Sequence, residues 1–289
     1  MLPILLEQTL NGLQLGVTLF LLASGLTLVL GIMRLVNLAH GSLYMVGAYV
    51  AFTVQPATGS FLLALFAAVI ATAILGAVLE RFLFEKLYSR GYLEQVIVSF
   101  GLIMFLDELV RVVWGPLPLP AAIPDMFEWS IELLPGLLYP SYRLVIIAAG
   151  LVVSILLYFL VTHTKLGMMV RAGASDRRMI SALGINIRDL YTAVFAGGAA
   201  LAALAGTMAG PIYSVQIGMG EAILVQSLIT IVIGGIGSIR GTAIAAVLVG
   251  ITDTLGRVFL PPGISQIAIY VFMTIVLVWR PRGLVPAHA

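Results

Sequence analysis

The chain has no cysteine, which removes disulfides, thiolate metal sites and a cysteine nucleophile from consideration. It is also poor in charge: 10% of its 289 residues are Asp, Glu, Lys or Arg, against about 25% in an average soluble domain. So few charges cannot cover a water-soluble fold when 61% of the residues are hydrophobic and the mean hydropathy is +1.12. Lysine is nearly missing. The two that occur, Lys86 in Phe84-Glu85-Lys86-Leu87 and Lys165 in His163-Thr164-Lys165-Leu166, do not end a glycine-rich loop, so the phosphate cradle of an ATPase is absent. His40, His163 and His288 stand far apart and form no His-Glu-x-x-His pair, which leaves no zinc site. The formal charge of +2 is dispersed, with no basic stripe between aromatics, and this argues against a nucleic-acid partner. A membrane enzyme would have His40 or Asp253 as acid-base groups, but no nucleophile stands at a workable spacing from either. No catalytic residue, metal ligand or cofactor is therefore expected. Any ATP that drives this protein is hydrolysed by another polypeptide.

What the sequence does contain is a succession of apolar runs. A hydrocarbon core of about 30 Å takes about 20 helical residues. Runs of that kind fall near residues 11–32, 38–55, 60–79, 95–114, 143–162, 190–210, 222–239, 241–259 and 265–280. The expected fold is all-α: one polytopic helical bundle over residues 1–289, with about eight to nine transmembrane helices in a lipid bilayer. No Lys or Arg precedes Arg34, so the first run lacks the basic flank of a cleavable signal peptide and is read as a retained helix. Lys165, Arg171, Arg177, Arg178 and Arg188 crowd the segment 163–190, which the positive-inside bias makes cytoplasmic. Alternation from there puts twelve basic residues inside and three, Arg111, Arg143 and Arg257, outside. The amino terminus is then outside and the carboxyl terminus cytoplasmic. Trp114, Trp129 and Trp279 fall at or beside the expected span ends, where amphipathic rings prefer to sit. The segment 115–142 holds six of the thirteen prolines and reads as a periplasmic loop with one short interfacial helix through Phe127 to Leu134.

Three features bear on function. In the segment 163–190, Ser175 reads as an N-cap and Asp176 as a first-turn acid, while Gly184 suits the left-handed residue that ends a helix. A helix of about eight residues is marginal alone in water. Its apolar side of Met179, Ile180, Ala182 and Leu183 is suited to a groove in a partner, the alternative being a basic connector held at anionic headgroups. Two glycine-interrupted stretches, Gly31 to Ser42 and Ile233 to Thr242, point to a transport path, because freed backbone groups are tolerated only beside protein or water. They nominate Asn37, His40, Gly41 and Tyr44 in the first and Gly234, Gly235 and Gly237 in the second; the plainer account is a tight cytoplasmic turn in each place. Asp107 with Arg111, and Asp253 with Arg257, are four apart and share a helix face, so each pair can neutralise itself. Arg111, Arg143 and Arg257 are candidates to receive acidic side chains of a docking protein.

The stretches Asn11-Gly-Leu-Gln-Leu-Gly16, Ala23 to Gly41 with its Asn-Leu-Ala-His-Gly end, and Gly47-Ala-Tyr49 resemble the amino-terminal signature of the permeases of branched-chain amino acid (LIV-type) ABC importers, in particular the shorter, LivH-type permease. The resemblance continues through Arg171-Ala, Leu183-Gly-Ile-Asn186, Gly234-Gly-Ile-Gly-Ser238 and Arg280-Pro-Arg-Gly-Leu284, and covers nearly the whole chain. Arg240 departs from it, since a small residue or proline is expected after Gly-Ser-Ile. The resemblance implies carriage of branched-chain amino acids across the bacterial inner membrane. It also implies a second related permease subunit, two cytoplasmic ABC ATPase subunits and a periplasmic substrate-binding protein. By similarity Arg171, Ser175, Asp176, Arg177, Ala182, Leu183, Gly184, Ile185 and Asn186 dock with the ATPase. Permeases for urea and short amides carry similar motifs and form the alternative. A stand-alone ion-coupled transporter is the rival of another class, and it requires an unpaired ionisable residue near the midplane. The expected spans leave none.

Overall fold

Helices that are apolar on every side have no aqueous face to present, and the exposed positions here are large and hydrophobic. They include Leu62, Phe66, Ile70 and Ile74 on one helix and Leu151, Ile155, Leu156 and Phe159 on another. In a computed structural model, which describes residues 1–175, 180–181 and 184–285, the chain forms α1 (Leu2–Met33), α2 (His40–Thr58), α3 (Phe61–Phe82), α4 (Tyr92–Trp114), a hairpin of β1 (Ser130–Leu134) and β2 (Leu137–Pro140), α5 (Ser141–His163), α6 (Lys165–Ser175), α7 (Ile187–Tyr213), α8 (Met219–Gly234), α9 (Ile239–Phe259) and α10 (Ile267–Trp279). Each of the nine expected spans falls on one of these helices. Among the described residues, α1, α3, α5, α7 and α9 are long and apolar enough to cross a membrane, and α8 and α10 are shorter apolar helices. The apolar stretches of α1 and α7 are 83% and 67% buried and those of α3 and α5 only 22%, so the first two form the centre and the others the rim.

Small residues bring the helices together, as expected where lipid gives no hydrophobic drive for association. Gly12 and Gly16 of α1 lie against Gly250 and Ala246 of α9, and Gly76 of α3 lies against Ala199 of α7. At the centre Gly25 of α1 meets Gly198 of α7: a Cβ on Gly25 would stand 2.7 Å from the Gly198 carbonyl oxygen. Tyr191, seven residues before Gly198, packs at Ile32, seven residues after Gly25, so α1 and α7 are antiparallel.

Each central helix is followed by a break. α1 ends in Arg34 (φ 53) and α7 in Ser214 (φ 63), the two non-glycine residues with left-handed backbone among those described. After Arg34 the chain turns back along α1, held by the Gln95 side chain of α4, which accepts from Val36 N at 3.1 Å. α2 starts at His40, packed beside Gly25. Gly25 lies eight residues before the end of α1, which is about 12 Å of helix. The segment 34–39 is thus re-entrant. After Ser214 a backbone bridge between Val215 and Leu119 (2.8 and 2.9 Å) holds the second break, and α8 starts at Met219 with Gly220 against Gly41. Tyr44, on the next turn of α2, lies against Gly206, and α7 runs on seven residues past that point. The segment 214–218 therefore also folds back, by about 10 Å. The two halves run in opposite directions, an inverted layout of the kind that places transport sites between broken helices.

Three expectations are corrected. The partner of the first break is 214–218; the stretch Ile233 to Thr242 is a tight turn. There Ser238 N bonds Gly235 O at 3.0 Å, Ser238 Oγ caps α9 through Gly241 N, and the segment after α10 seals the turn through Leu284 N to Ile233 O at 2.8 Å. Residues 127–134 are not a helix. Pro135-Gly136 makes a turn (Gly136 φ 83) whose amide bonds Glu132 Oε1 at 2.8 Å, and Ile131 pairs with Tyr139 across the hairpin. Ser175 is the last described residue of α6, an unexpected helix that starts where Thr164 Oγ1 accepts from Gly167 N at 3.1 Å, and the N-cap role expected of Ser175 falls on residues outside those described. Asp107 does not pair with Arg111, as described below. Arg240, the departure from the family pattern, donates to Tyr158 Oη at 3.2 Å and lies over that ring, tying α9 to α5.

Candidate translocation site

α1 carries amides at Gln8, Asn11 and Gln14, spaced three apart and so gathered on one side of the helix. They line a cavity of about 410 Å³ together with Tyr44 of α2, Arg143 of α5, Tyr213, Gln216, Ile223 and Gln226, and Asp253, Thr254 and Arg257 of α9. The second break, 214–218, runs along its wall through Gln216. Asp253, 2% exposed, accepts twice from Arg257, at 2.9 Å from Nε and 3.3 Å from Nη2, so this pair is self-neutralising as its spacing predicts. Arg143 is held at 2.5 Å by the Asn11 side-chain oxygen, which also accepts from Tyr139 Oη at 3.1 Å. Burial pushes the Tyr139 phenol up, and the Arg143 guanidinium pulls it back. Among the described residues no carboxylate pairs with Arg143.

The cavity unites part of the nominated set. Tyr44, Arg143 and Arg257 line it; His40 and Gly41 sit directly beneath, where α2 begins. Asn37 is buried in the break, with neither of its side-chain polar atoms bonded. Gly234 and Gly235 lie instead in the sealed turn, and Gly237 borders a separate hollow of about 400 Å³ with Thr27, Arg34 and Arg171. Arg111 stands apart on α4, paired with Glu108 at 3.0 Å, while Asp107 faces Glu221 of α8. The amides Gln8, Asn11, Gln14, Gln216 and Gln226 were not nominated. For Gln8, Asn11 and Gln14 the three-residue spacing along α1 was the available signal.

At the opposite end, the described part of the segment 163–190 leads into α7. Gly184 has φ 81, and the Asn186 side chain caps α7 by accepting from Arg188 N at 3.1 Å and donating to Asp189 Oδ2 at 2.6 Å. That end is stapled to α3: Arg81 pairs with Asp189 at 3.3 Å, and Arg188 with Glu85 at 2.6 Å. Buried Glu80 accepts from Tyr88 and from Thr192. Burial first, and then the bond to Glu80, push the Tyr88 phenol far up. Ile185 is half-buried and Arg171 exposed, while Asp176, Arg177, Ala182 and Leu183 lie outside the described residues.

Comparison with known proteins agrees with this architecture. The profile of the family described as branched-chain amino acid transport system / permease component matches residues 8–278. The high-affinity branched-chain amino acid transport system permease protein BraD of Pseudomonas aeruginosa is 31% identical, over 96% of this chain and 95% of its own length. LivH of Escherichia coli K12, of the same description, is 30% identical over 96% and 94%. LivM of that organism is 28% identical over 92% of this chain and 67% of its own length. No solved structure gives a significant match. A polytopic helical bundle with broken helices around a polar cavity, matched by this profile over nearly its full length, is a transport permease and not an enzyme: the chain belongs to the branched-chain amino acid transport system permease family.

Proposed function

We propose that the chain carries branched-chain amino acids across the bacterial inner membrane as one of two related permease subunits of a binding-protein-dependent ABC importer. The observation that supports this most is the polar cavity at the junction of two re-entrant breaks, in a chain similar to both LivH and LivM. A chain that is similar to both kinds of permease is suited to pair with a related partner. The 115–142 hairpin end faces the periplasm, where a substrate-binding protein presents its cargo and Arg111 is available to it; the amino terminus is outside. The α6 end and the carboxyl terminus face the cytoplasm. There the segment from Arg171 through Ser175 to Asn186 docks with one of two ATPase subunits. Movement of Asn186 reaches α3 through Asp189, Arg188 and the Glu80 cluster, and α7 carries it to the second break.

The test is uptake by cells lacking their own high-affinity systems and supplied with this chain and its co-encoded partners. Labelled leucine, isoleucine and valine are expected to accumulate, and P-loop subunits to co-purify in mild detergent. Accumulation of urea or short amides with no amino acid uptake would replace the substrate. Ion-gradient-driven uptake by the purified single chain in liposomes would replace the mechanism.

A further inference from the structure

Gln14 lies in the wall of the polar cavity, 1% exposed, and its Oε1 has no hydrogen-bond partner. The orientation of the amide is set by its neighbour. Thr18 Oγ1 gives its proton to the Gln14 main-chain oxygen at 3.1 Å, so the hydroxyl receives Gln14 Nε2 at 3.4 Å as an acceptor. The free end of Gln14 is therefore its oxygen, a buried acceptor awaiting a donor, and such atoms are rarely left unsatisfied in folded proteins. One turn away, about 4.5 Å along α1, Asn11 holds the guanidinium of Arg143, a cation with no carboxylate partner among the described residues.

We propose that this chain itself holds a subsite for a free α-amino acid, with Arg143 receiving the carboxylate and Gln14 Oε1 the ammonium. The inference rests on the proposed function and adds the residues that recognise the substrate head. An unpaired cation and an unpaired neutral acceptor one helical turn apart fit the two ends of a zwitterion. A lone amine meets Arg143 with like charge, and a lone carboxylate leaves Gln14 unsatisfied. Leu15, Met219 and Ile223 line the same cavity and offer an apolar wall for the side chain. The volume of about 410 Å³ is within the range of about 300–1,000 Å³ for small-molecule sites. The Asp253–Arg257 pair, already neutral, adds no net charge to the site. Presence of a site within the permease means that cargo is selected a second time after delivery.

The experiment is equilibrium dialysis of labelled leucine against the purified permease–ATPase complex with no binding protein present. Saturable binding is expected, displaced by norleucine but at least tenfold less well by 3-methylbutylamine or 4-methylpentanoate, which each keep one charged end. Gln14→Leu is expected to weaken binding at least tenfold, and Gln14→Asn, which keeps a neutral amide oxygen on a shorter arm, to weaken it less. The site is refuted if the wild-type complex transports leucine with its binding protein yet binds none without it, if either singly charged analogue displaces as well as norleucine, or if both Gln14 variants behave alike. Failure of the wild-type complex to transport any amino acid would instead sink the function reading, and the site with it.

Discussion

Gly41 and Gly220 stand carbonyl to α-carbon across the junction of α2 and α8: a Cβ on either would collide with the carbonyl oxygen of the other. The contact is reciprocal, and it brings together the amino-terminal ends of two helices that enter from opposite ends of the bundle. The first amides of a helix have no partner within it, and here the preceding breaks supply several: Ser42 N and Leu43 N bond Ala39 O, Met219 N bonds Gln216 O and Glu221 N bonds Gly218 O. Tyr44 and Met219, close to the two glycines along α2 and α8, line the polar cavity.

The glycines of this junction are expected to differ sharply from glycines elsewhere. Gly41→Ala and Gly25→Ala insert a methyl into opposing backbone and should each cost about 1–3 kcal/mol by overpacking. Gly197→Ala, next to the Gly25–Gly198 contact but with nothing within 4 Å of the added Cβ, should be neutral or stabilising by about 0.5–1 kcal/mol. Thermal loss of the monodisperse peak in detergent measures both.

Arg257→Met strands Asp253, which is 2% exposed, whereas the double replacement with Asp253→Asn removes the charge as well. The single variant is therefore expected to be the less stable of the two, by about 1–2 kcal/mol after allowance for the exposed arginine. A double-mutant cycle on melting temperature decides it.

Tyr88→Phe takes one of two hydroxyl donors from buried Glu80 and should cost about 1–3 kcal/mol. It also changes the alkaline limb. Because the folded phenol titrates well above its unfolded value, the folded state binds more protons once the pH exceeds about 10, and stability falls as pH rises from there. The drop between pH 9 and pH 11 is expected to be smaller in Tyr88→Phe than in the parent.

Gly184 has φ 81, a conformation that costs a β-branched residue most and asparagine little. Gly184→Val is expected to abolish ATP-dependent uptake with membrane insertion intact, and Gly184→Asn to retain most of it. Normal uptake by the valine variant would remove this turn from the coupling path.

Much of this molecule was legible before folding. The helical spans follow from one requirement, that a segment in hydrocarbon bond its own backbone and present apolar side chains, and that requirement is met residue by residue along the chain. The Asp253–Arg257 pair was equally readable, because i to i+4 geometry is local. Arg111 was not: Glu108 and Asp107 are both within its reach along the helix, and it pairs with Glu108 while Asp107 meets Glu221 of another helix.

The breaks show the boundary most clearly. Gly234-Gly235-Ile236-Gly237 and Pro211 to Gly218 both interrupt apolar helices, and the first has the stronger glycine signal. Yet the first is a sealed turn and the second a re-entrant segment, because what matters is the partner opposite each one: Leu284 and Val285 fill the bonds of the former, Leu119 and Gly41 position the latter. The sequence alone determined which segments live in the membrane, since that depends on composition and local helix geometry. Only the tertiary structure decided which polar residues share a cavity, since that depends on contacts between helices far apart along the chain.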